Sequence, residues 1–182
     1  ARVPKPGPIV YAWVERLFHS NIYVKMPDAP DARMVHDEPG LISQAKWSPD
    51  GEYISFATNV PGPGARDTIS VMAADGSGLQ RLVRNITAWD DPHTWSPGDR
   101  QITYYDDEGA RDGDLWVIDV DGPQNRRKLS RDGGVFASPA WSPDRQRIAY
   151  AWSEDGRKMT IHVMDADGRN VTKIAKAEGL QP

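Results

Sequence analysis

The sequence repeats with a period of about 46 residues, and this repeat restricts the possible fold more than any other feature. The tripeptide Trp-Ser-Pro begins at Trp47, Trp95 and Trp141, which places the copies 48 and 46 residues apart. Proline fixes φ, and the Asp or Gly residues that follow accept turn dihedrals. A short alternating segment then follows each turn, at 54–56, 102–104 and 148–150. The chain is therefore predicted to reverse direction and re-enter a sheet in every copy.

Two further strands follow in each period. A third strand recurs at 22–24, 69–72, 115–118 and 161–164, and in the last three copies it runs into Asp-Gly. Asp-Gly pairs favour the positive φ that hairpin turns need. A last strand is predicted at 32–35, 79–83, 126–129 and 171–175.

Four short antiparallel strands per period are typical of a propeller blade. The predicted fold is all-β: a β-propeller of four blades of about 46 residues, each with four antiparallel strands. We predict one domain over 1–182, with blade repeats at approximately 1–40, 41–86, 87–132 and 133–182.

Composition narrows the function classes. The chain has no cysteine, which excludes disulfides, thiolate metal sites and thiol nucleophiles. It has no apolar run near the ~20 residues that span a bilayer, so membrane insertion is not expected. The formal charge of −4 disfavours nucleic acid as a partner, since binders of nucleic acid carry a basic face or stripe.

The repeated pattern resembles a known family. Trp-Ser-Pro-Asp-Gly, then Ile-x-Phe or Tyr, then Ile-x-Val-Met-x-Ala-Asp-Gly, is similar to the TolB-type β-propeller repeat, a relative of WD repeats. The resemblance covers nearly the whole chain. It implies the propeller fold and an exported, periplasmic location in a bacterium. It does not specify a function, because the same scaffold serves many activities.

The blade count leaves an inner strand missing. Aligning residues 11–13 with 150–152 predicts that the first blade has no inner strand of its own. Three arrangements stay open. A lone four-bladed ring closes with residues 179–182 as a short inner strand, two chains join head to tail as a homodimer with eight blades, or the chain is a fragment of a longer propeller. The start at Ala1, without Met, fits either a processed chain or one cut from a longer parent.

One cluster carries candidate binding chemistry. Inner strands line the central channel of a propeller, and the segment Trp89-Asp90-Asp91-Pro92-His93 places two carboxylates and an imidazole near the channel mouth. Asp and neutral His are ordinary ligands for a divalent metal, the one cofactor this pattern suggests. The alternative is structural, with the Asp pair capping backbone N–H groups. Trp89 is the candidate exposed recognition aromatic.

Two other groups have structural interpretations. Trp47, Trp95 and Trp141 recur at one repeat position and are predicted to pack between blades. The acidic segment at 106–114 matches no EF-hand pattern, and a solvated loop is predicted there.

No motif in the sequence indicates a catalytic activity. The chain has no Gly-x-Ser-x-Gly elbow, Walker loop or His-Glu-x-x-His. The predicted function is a non-catalytic scaffold that binds a protein partner or small ligand through its channel mouth and loops. The alternatives are a metal-assisted lyase or hydrolase that uses Asp90, Asp91 and His93, and a propeller that gates a separate catalytic domain.

Overall fold

The computed structural model describes residues 7–16, 18–59, 67–86, 93–98, 100–107, 113–131 and 133–176. Within these ranges the chain forms fifteen strands in four sheets, and neighbouring strands run antiparallel. No helix in the described residues has the length and apolar character needed to cross a membrane. The predicted all-β fold of four antiparallel blades is confirmed.

The sheets follow the order of the chain. Sheet 1 contains β1 (Ile9–Arg16), β2 (His19–Lys25) and β3 (Arg33–Pro39). Sheet 2 contains β4 (Leu41–Trp47), β5 (Tyr53–Asn59), β6 (Asp67–Ala73) and β7 (Gln80–Ile86). Sheet 3 contains β8 (His93–Trp95), β9 (Gln101–Asp106), β10 (Asp114–Asp119) and β11 (Arg126–Lys128). Sheet 4 contains β12 (Val135–Trp141), β13 (Arg147–Ser153), β14 (Thr160–Asp165) and β15 (Thr172–Lys176).

The strand order within each sheet agrees with the repeat. Sheets 2, 3 and 4 each begin with a strand that ends at the repeated Trp, and the other three strands follow in sequence. Sheet 1 has three strands among the described residues. This agrees with the prediction that the first blade has no inner strand of its own. The last strand of the first copy, predicted at 32–35, continues to Pro39 because β3 stays paired with β2 as far as His19.

The chain divides into two compact units, Ala1–Arg84 and Asn85–Pro182. The first contains sheets 1 and 2 apart from the end of β7, and the second contains sheets 3 and 4. The core of the first unit consists of Ile22, Val24, Ile42, Ile54, Phe56 and Met72. The core of the second consists of Tyr105, Leu115, Val117, Leu129, Phe136, Ile148, Tyr150 and Met164. Each core joins side chains from both sheets, so burial of apolar area holds neighbouring blades together.

The Trp-Ser-Pro-Asp turn is closed by its own side chains. The Ser48 hydroxyl accepts a hydrogen bond from the Tyr53 amide at 2.9 Å and donates to Asp50 at 2.5 Å. The third copy of the turn, in sheet 4, repeats these bonds with Ser142, Asp144 and Arg147. Local hydrogen bonds of this kind fix a turn through a few neighbouring residues. The turn could therefore be predicted from the repeated sequence.

The Asp-Gly turn makes a longer-range contact. Gly76 lies against the backbone of Val35 in the preceding sheet, and Gly168 lies in the same way against Leu129. Both glycines have positive φ, 92° and 87°. A side chain at either position would collide with a backbone carbonyl, so glycine lets consecutive sheets approach closely.

The repeated tryptophans pack as predicted in two copies. Trp47 packs against the core of the first unit. Trp141 packs against the core of the second, and its Nε1 donates to Thr103 Oγ1 of sheet 3 at 3.0 Å. Trp95 is buried, with 7% of its surface exposed.

A half-buried ion network connects the outer strands of the first unit. Glu38 in β3 accepts hydrogen bonds from His36 Nε2 and from Arg81 Nη2 in β7, both at 2.8 Å. The bond from His36 lowers the pKa of Glu38 below its ordinary value of 4.5; Arg81 lowers it further, and together they outweigh the opposite effect of burial.

The stability that Glu38 provides should depend on pH. Because the folded pKa lies below the unfolded one, this stability is present above about pH 4.5 and is lost as the pH falls through the folded pKa. We expect Glu38→Gln to lower the melting temperature at pH 7, and its deficit relative to wild type to shrink below pH 4.5. Thermal unfolding monitored by circular dichroism across that pH range tests this. Glu154→Gln, in an exposed turn, is the control. A deficit that stays constant with pH would contradict the expectation.

Candidate functional site

The predicted cluster at the channel mouth is described only in part. His93 begins β8, the first strand of sheet 3, and it is opposite Tyr104 of β9. Its side chain is fully buried, in contact with the rest of the protein. Trp89, Asp90 and Asp91 lie outside the described residues. The grouping of these four residues as a ligand or metal site therefore stays a prediction.

The described residues contain no group of three or more His, Asp or Glu side chains placed to hold a metal ion. The acidic segment is also arranged differently from the sequence-based expectation. Asp106 and Asp107 are buried, with 5% and 7% exposed, and the Asp106 carboxylate is 3.9 Å from Arg126. Asp114 accepts a hydrogen bond from Ser130 at 2.7 Å and pairs with Lys128 at 2.6 Å. The prediction of a solvated loop is wrong for Asp106 and Asp107, because both are buried. Asp114 is partly buried and is held by Ser130 and Lys128, whereas Glu108 and Asp112 lie outside the described residues.

An apolar face of sheet 1 is exposed. Within the described residues, β1 is hydrogen-bonded on one side, to β2, and forms the edge of its sheet. Side chains alternate along a strand, and Val10 and Ala12 pack against the core of the first unit. The alternate positions point the other way: Ile9 is 57% exposed, Tyr11 38% and Trp13 60%.

Register extends this face across the sheet. Tyr11 is opposite Tyr23, and Tyr23 is opposite Met34. The two tyrosine rings stack with centroids 5.6 Å apart, and Met34 is 49% exposed. We refer to Ile9, Tyr11, Trp13, Tyr23 and Met34 as the open face of sheet 1. Single exposed apolar side chains are common on protein surfaces, whereas a contiguous group such as this is typical of an interaction site.

Polar pairs border the open face at one end. Asn21 Nδ2 donates to Glu15 at 3.3 Å, and His19 is bonded to Asp37 across the sheet. These contacts bring polar groups from all three strands together beside Trp13. An apolar centre with a polar rim is the usual anatomy of a protein interface.

Sequence reasoning did not identify the open face, and it selected Trp89 as the exposed aromatic. Trp13 belongs to the second strand of its blade, where Trp152 of sheet 4 is half-buried. The signal that could have identified it was the alternation along β1. Tyr11 and Trp13 alternate with Val10 and Ala12, which pack against the core of the first unit.

Comparison with known proteins supports the fold. The chain is 38% identical over 56 residues to the Tol-Pal system protein TolB of Syntrophus aciditrophicus (strain SB); the match covers 31% of this chain and 12% of that protein. TolB from Acinetobacter baumannii superimposes with a TM-score of 0.73 at 20% identity, over 93% of this chain and 41% of that one. An oligogalacturonate lyase in complex with manganese superimposes with a TM-score of 0.67 at 12% identity, over 88% of this chain and 43% of that one. No family model matches.

These comparisons establish the architecture and the type of repeat. Structural likeness at 12–20% identity shows the fold alone, and the fold is shared by a TolB protein and an oligogalacturonate lyase. The chain spans less than half of each of these three proteins.

Proposed function

We propose that this chain, a TolB-type β-propeller, is a non-catalytic scaffold that binds another protein and works in the bacterial periplasm. The observation that carries the proposal is the open face of sheet 1. The segment with Trp89, Asp90, Asp91 and His93 is proposed as a second contact for a partner or small ligand at the channel mouth. The matched relative from Syntrophus aciditrophicus is named for the Tol-Pal system, and this supports a protein partner in the cell envelope.

The open face has the composition of a protein interface. It contains two tyrosines, a tryptophan and a methionine, which are enriched where proteins bind one another. Large exposed aromatics also cost solubility, so a monomer gains nothing by presenting them to water. Within each unit, one face of each sheet is covered by the neighbouring sheet, and the open face is suited to the same kind of cover.

The proposed cover is sheet 4 of a second copy of this chain, in the head-to-tail homodimer with eight blades. Ala149 and Ala151 of β13 alternate with residues that pack into the core of the second unit, so they lie on the opposite face of sheet 4. Val163 and Ile161 of β14 are opposite them in register. All four are partly exposed, and this surface of small and branched side chains is complementary to the aromatic open face.

Substitution of Trp13 should therefore change the assembly state. We expect the wild-type chain to have a mass of twice 20.2 kDa at micromolar concentration in multi-angle light scattering. Trp13→Lys places a charge on the open face and should shift the protein to a single chain mass. Because an interface residue of this type contributes about 2 kcal/mol or more, the dissociation constant should rise at least about thirtyfold.

The matched control is Met26→Lys, since Met26 is 50% exposed and lies beyond the end of β2, away from the open face. This variant should keep the wild-type mass. A wild-type protein with the mass of one chain would overturn the homodimer. A dimer unaffected by Trp13→Lys, with wild-type circular dichroism, would overturn the role of the open face.

A further inference from the structure

A cleft of about 240 Å³ lies in the second unit between sheets 3 and 4. Its volume equals that of about eight water molecules in the liquid. Sheet 4 contributes four rings, those of Phe136, Tyr150, Trp152 and His162, and the segment after β11 contributes Ser130 and Arg131. Its lining contains no residue of the open face of sheet 1, and it does not contain His93.

The rings lie on one face of sheet 4. Phe136 is opposite Trp152, and Tyr150 is opposite His162. Ring centroids are 5.6 Å apart for Phe136 and Tyr150, 5.7 Å for Tyr150 and His162, and 5.5 Å for Trp152 and His162. These separations lie within the range of favourable aromatic contacts, so the rings form one connected wall.

The first unit has an equivalent cleft that the protein fills itself. Val35 and Leu129 hold equivalent positions, because each contacts the glycine of the following Asp-Gly turn. The next residues along the chain are His36 and Ser130. The His36 ring packs on Phe56 with centroids 5.2 Å apart. Phe56 is the counterpart of Tyr150 in the second unit, because each lies nine residues after the Trp of Trp-Ser-Pro.

The filled cleft also shows which charges belong there. His36 bonds to Glu38, and Glu38 pairs with Arg81 at 2.8 Å. A planar ring and a carboxylate therefore occupy the first cleft, held by an aromatic wall and a cation. Ser130 has no ring, which leaves the corresponding space in the second unit open.

The second cleft retains the wall and the cations. The described lining contains no carboxylate, and Arg131 has no ion pair within the described part of the chain. The nearby carboxylate of Asp114 is bonded to the Ser130 hydroxyl and is paired with Lys128. Lys173 is opposite His162 in register and adds a second positive charge nearby. Burial, together with Lys173, lowers the pKa of His162, so its imidazole is neutral at pH 7 and acts as a further ring of the wall.

We propose that this cleft binds a small aromatic carboxylate, with its ring against Tyr150 and Trp152 and its carboxylate on Arg131. The ligand supplies what His36 and Glu38 supply in the first unit. Its ring gains aromatic contacts, and its charge gains a hydrogen bond from a guanidinium, which is stronger than a neutral one.

The probe for this site is phenylacetate, titrated into the full chain by isothermal calorimetry. Wild type should bind it saturably at millimolar concentration. Cyclohexylacetate lacks the aromatic ring and 2-phenylethanol lacks the charge, so both should bind at least about tenfold more weakly. Glucuronate has the charge on a sugar ring; tighter binding of glucuronate than of phenylacetate would overturn the aromatic class of ligand.

Three variants locate the site. Ser130→His should fill the cleft as His36 fills the first one and should abolish binding, whereas Arg131→Gln should weaken binding at least about tenfold. Arg157→Gln is the matched control, because the Arg157 side chain is 86% exposed and is not part of the cleft lining. Circular dichroism and the melting temperature verify that each variant is folded.

The outcomes decide the proposal in either direction. Binding that is lost in Ser130→His and weakened in Arg131→Gln, but retained in Arg157→Gln, supports it. If wild-type protein shows no saturable heat, the proposal is overturned. A side chain of the protein that already occupied the cleft would give that result. Binding unchanged in a folded Ser130→His variant would place the ligand elsewhere and would overturn it as well.

Discussion

Gly76→Ala should destabilise the protein by about 2–6 kcal/mol, since backbone strain and overpacking each cost about 1–3 kcal/mol. An added Cβ would lie 2.0 Å from the carbonyl oxygen of Val35 and 2.9 Å from its carbonyl carbon. These atoms belong to the backbone, so no side-chain rotation relieves the collision. The φ of 92° adds strain of its own for any residue with a Cβ.

Gly51→Ala is the matched control. Gly51 lies in the same unit with a φ of 76°, but a Cβ there would meet nothing within 4 Å. Alanine should cost about 1–2 kcal/mol at this site, from the left-handed conformation alone. Urea unfolding of both variants isolates the contribution of close packing between sheets. Equal losses would mean that the contact with Val35 yields without cost.

Trp95→Ala should cost about 3–5 kcal/mol, the range for emptying a large aromatic site. Trp95 is 7% exposed, and its Nε1 has no hydrogen-bond partner within the described residues. The loss therefore comes from apolar transfer and the cavity rather than from a broken hydrogen bond. It would remove a large part of a typical domain stability of about 5–15 kcal/mol.

The control for Trp95 is Ile174→Ala in the same unit. Ile174 is 59% exposed, so its truncation should cost less than about 1 kcal/mol. Urea unfolding of the two variants tests the equivalence of Trp95 with Trp47 and Trp141. A loss below about 1 kcal/mol for Trp95→Ala would show that the three repeated tryptophans do not share one packing role.

The strands and turns were predictable because their causes are local. Alternating side chains favour a pleated strand, and Ser48 closes its turn through bonds to Asp50 and Tyr53, five residues away at most. The same short sequence makes the same bonds around Ser142. The same pattern of strands and turns recurs in each period, so the number and order of the strands could be predicted from the sequence.

Burial could not be predicted in the same way. The acidic residues Asp106 and Asp107 resemble a solvated loop in sequence, yet both are buried. Trp13 and Trp152 occupy equivalent strand positions, yet Trp13 is 60% exposed and Trp152 lines the aromatic cleft. Whether a side chain is buried depends on the neighbouring sheet. The sequence of one blade does not specify where that sheet lies.

The sequence by itself determined the all-β class, the four blades and the turn chemistry, and it predicted the three strands that the first sheet has among the described residues. Only the tertiary structure decided which faces meet, and therefore where binding surfaces lie. The apolar side chains of the open face of sheet 1 are exposed, and the cleft beside Arg131 lies where Ser130 stands in place of the ring of His36. Hydrogen bonds within a turn act over a few residues, whereas burial depends on the approach of sheets that are far apart in the chain, so no local pattern encodes it.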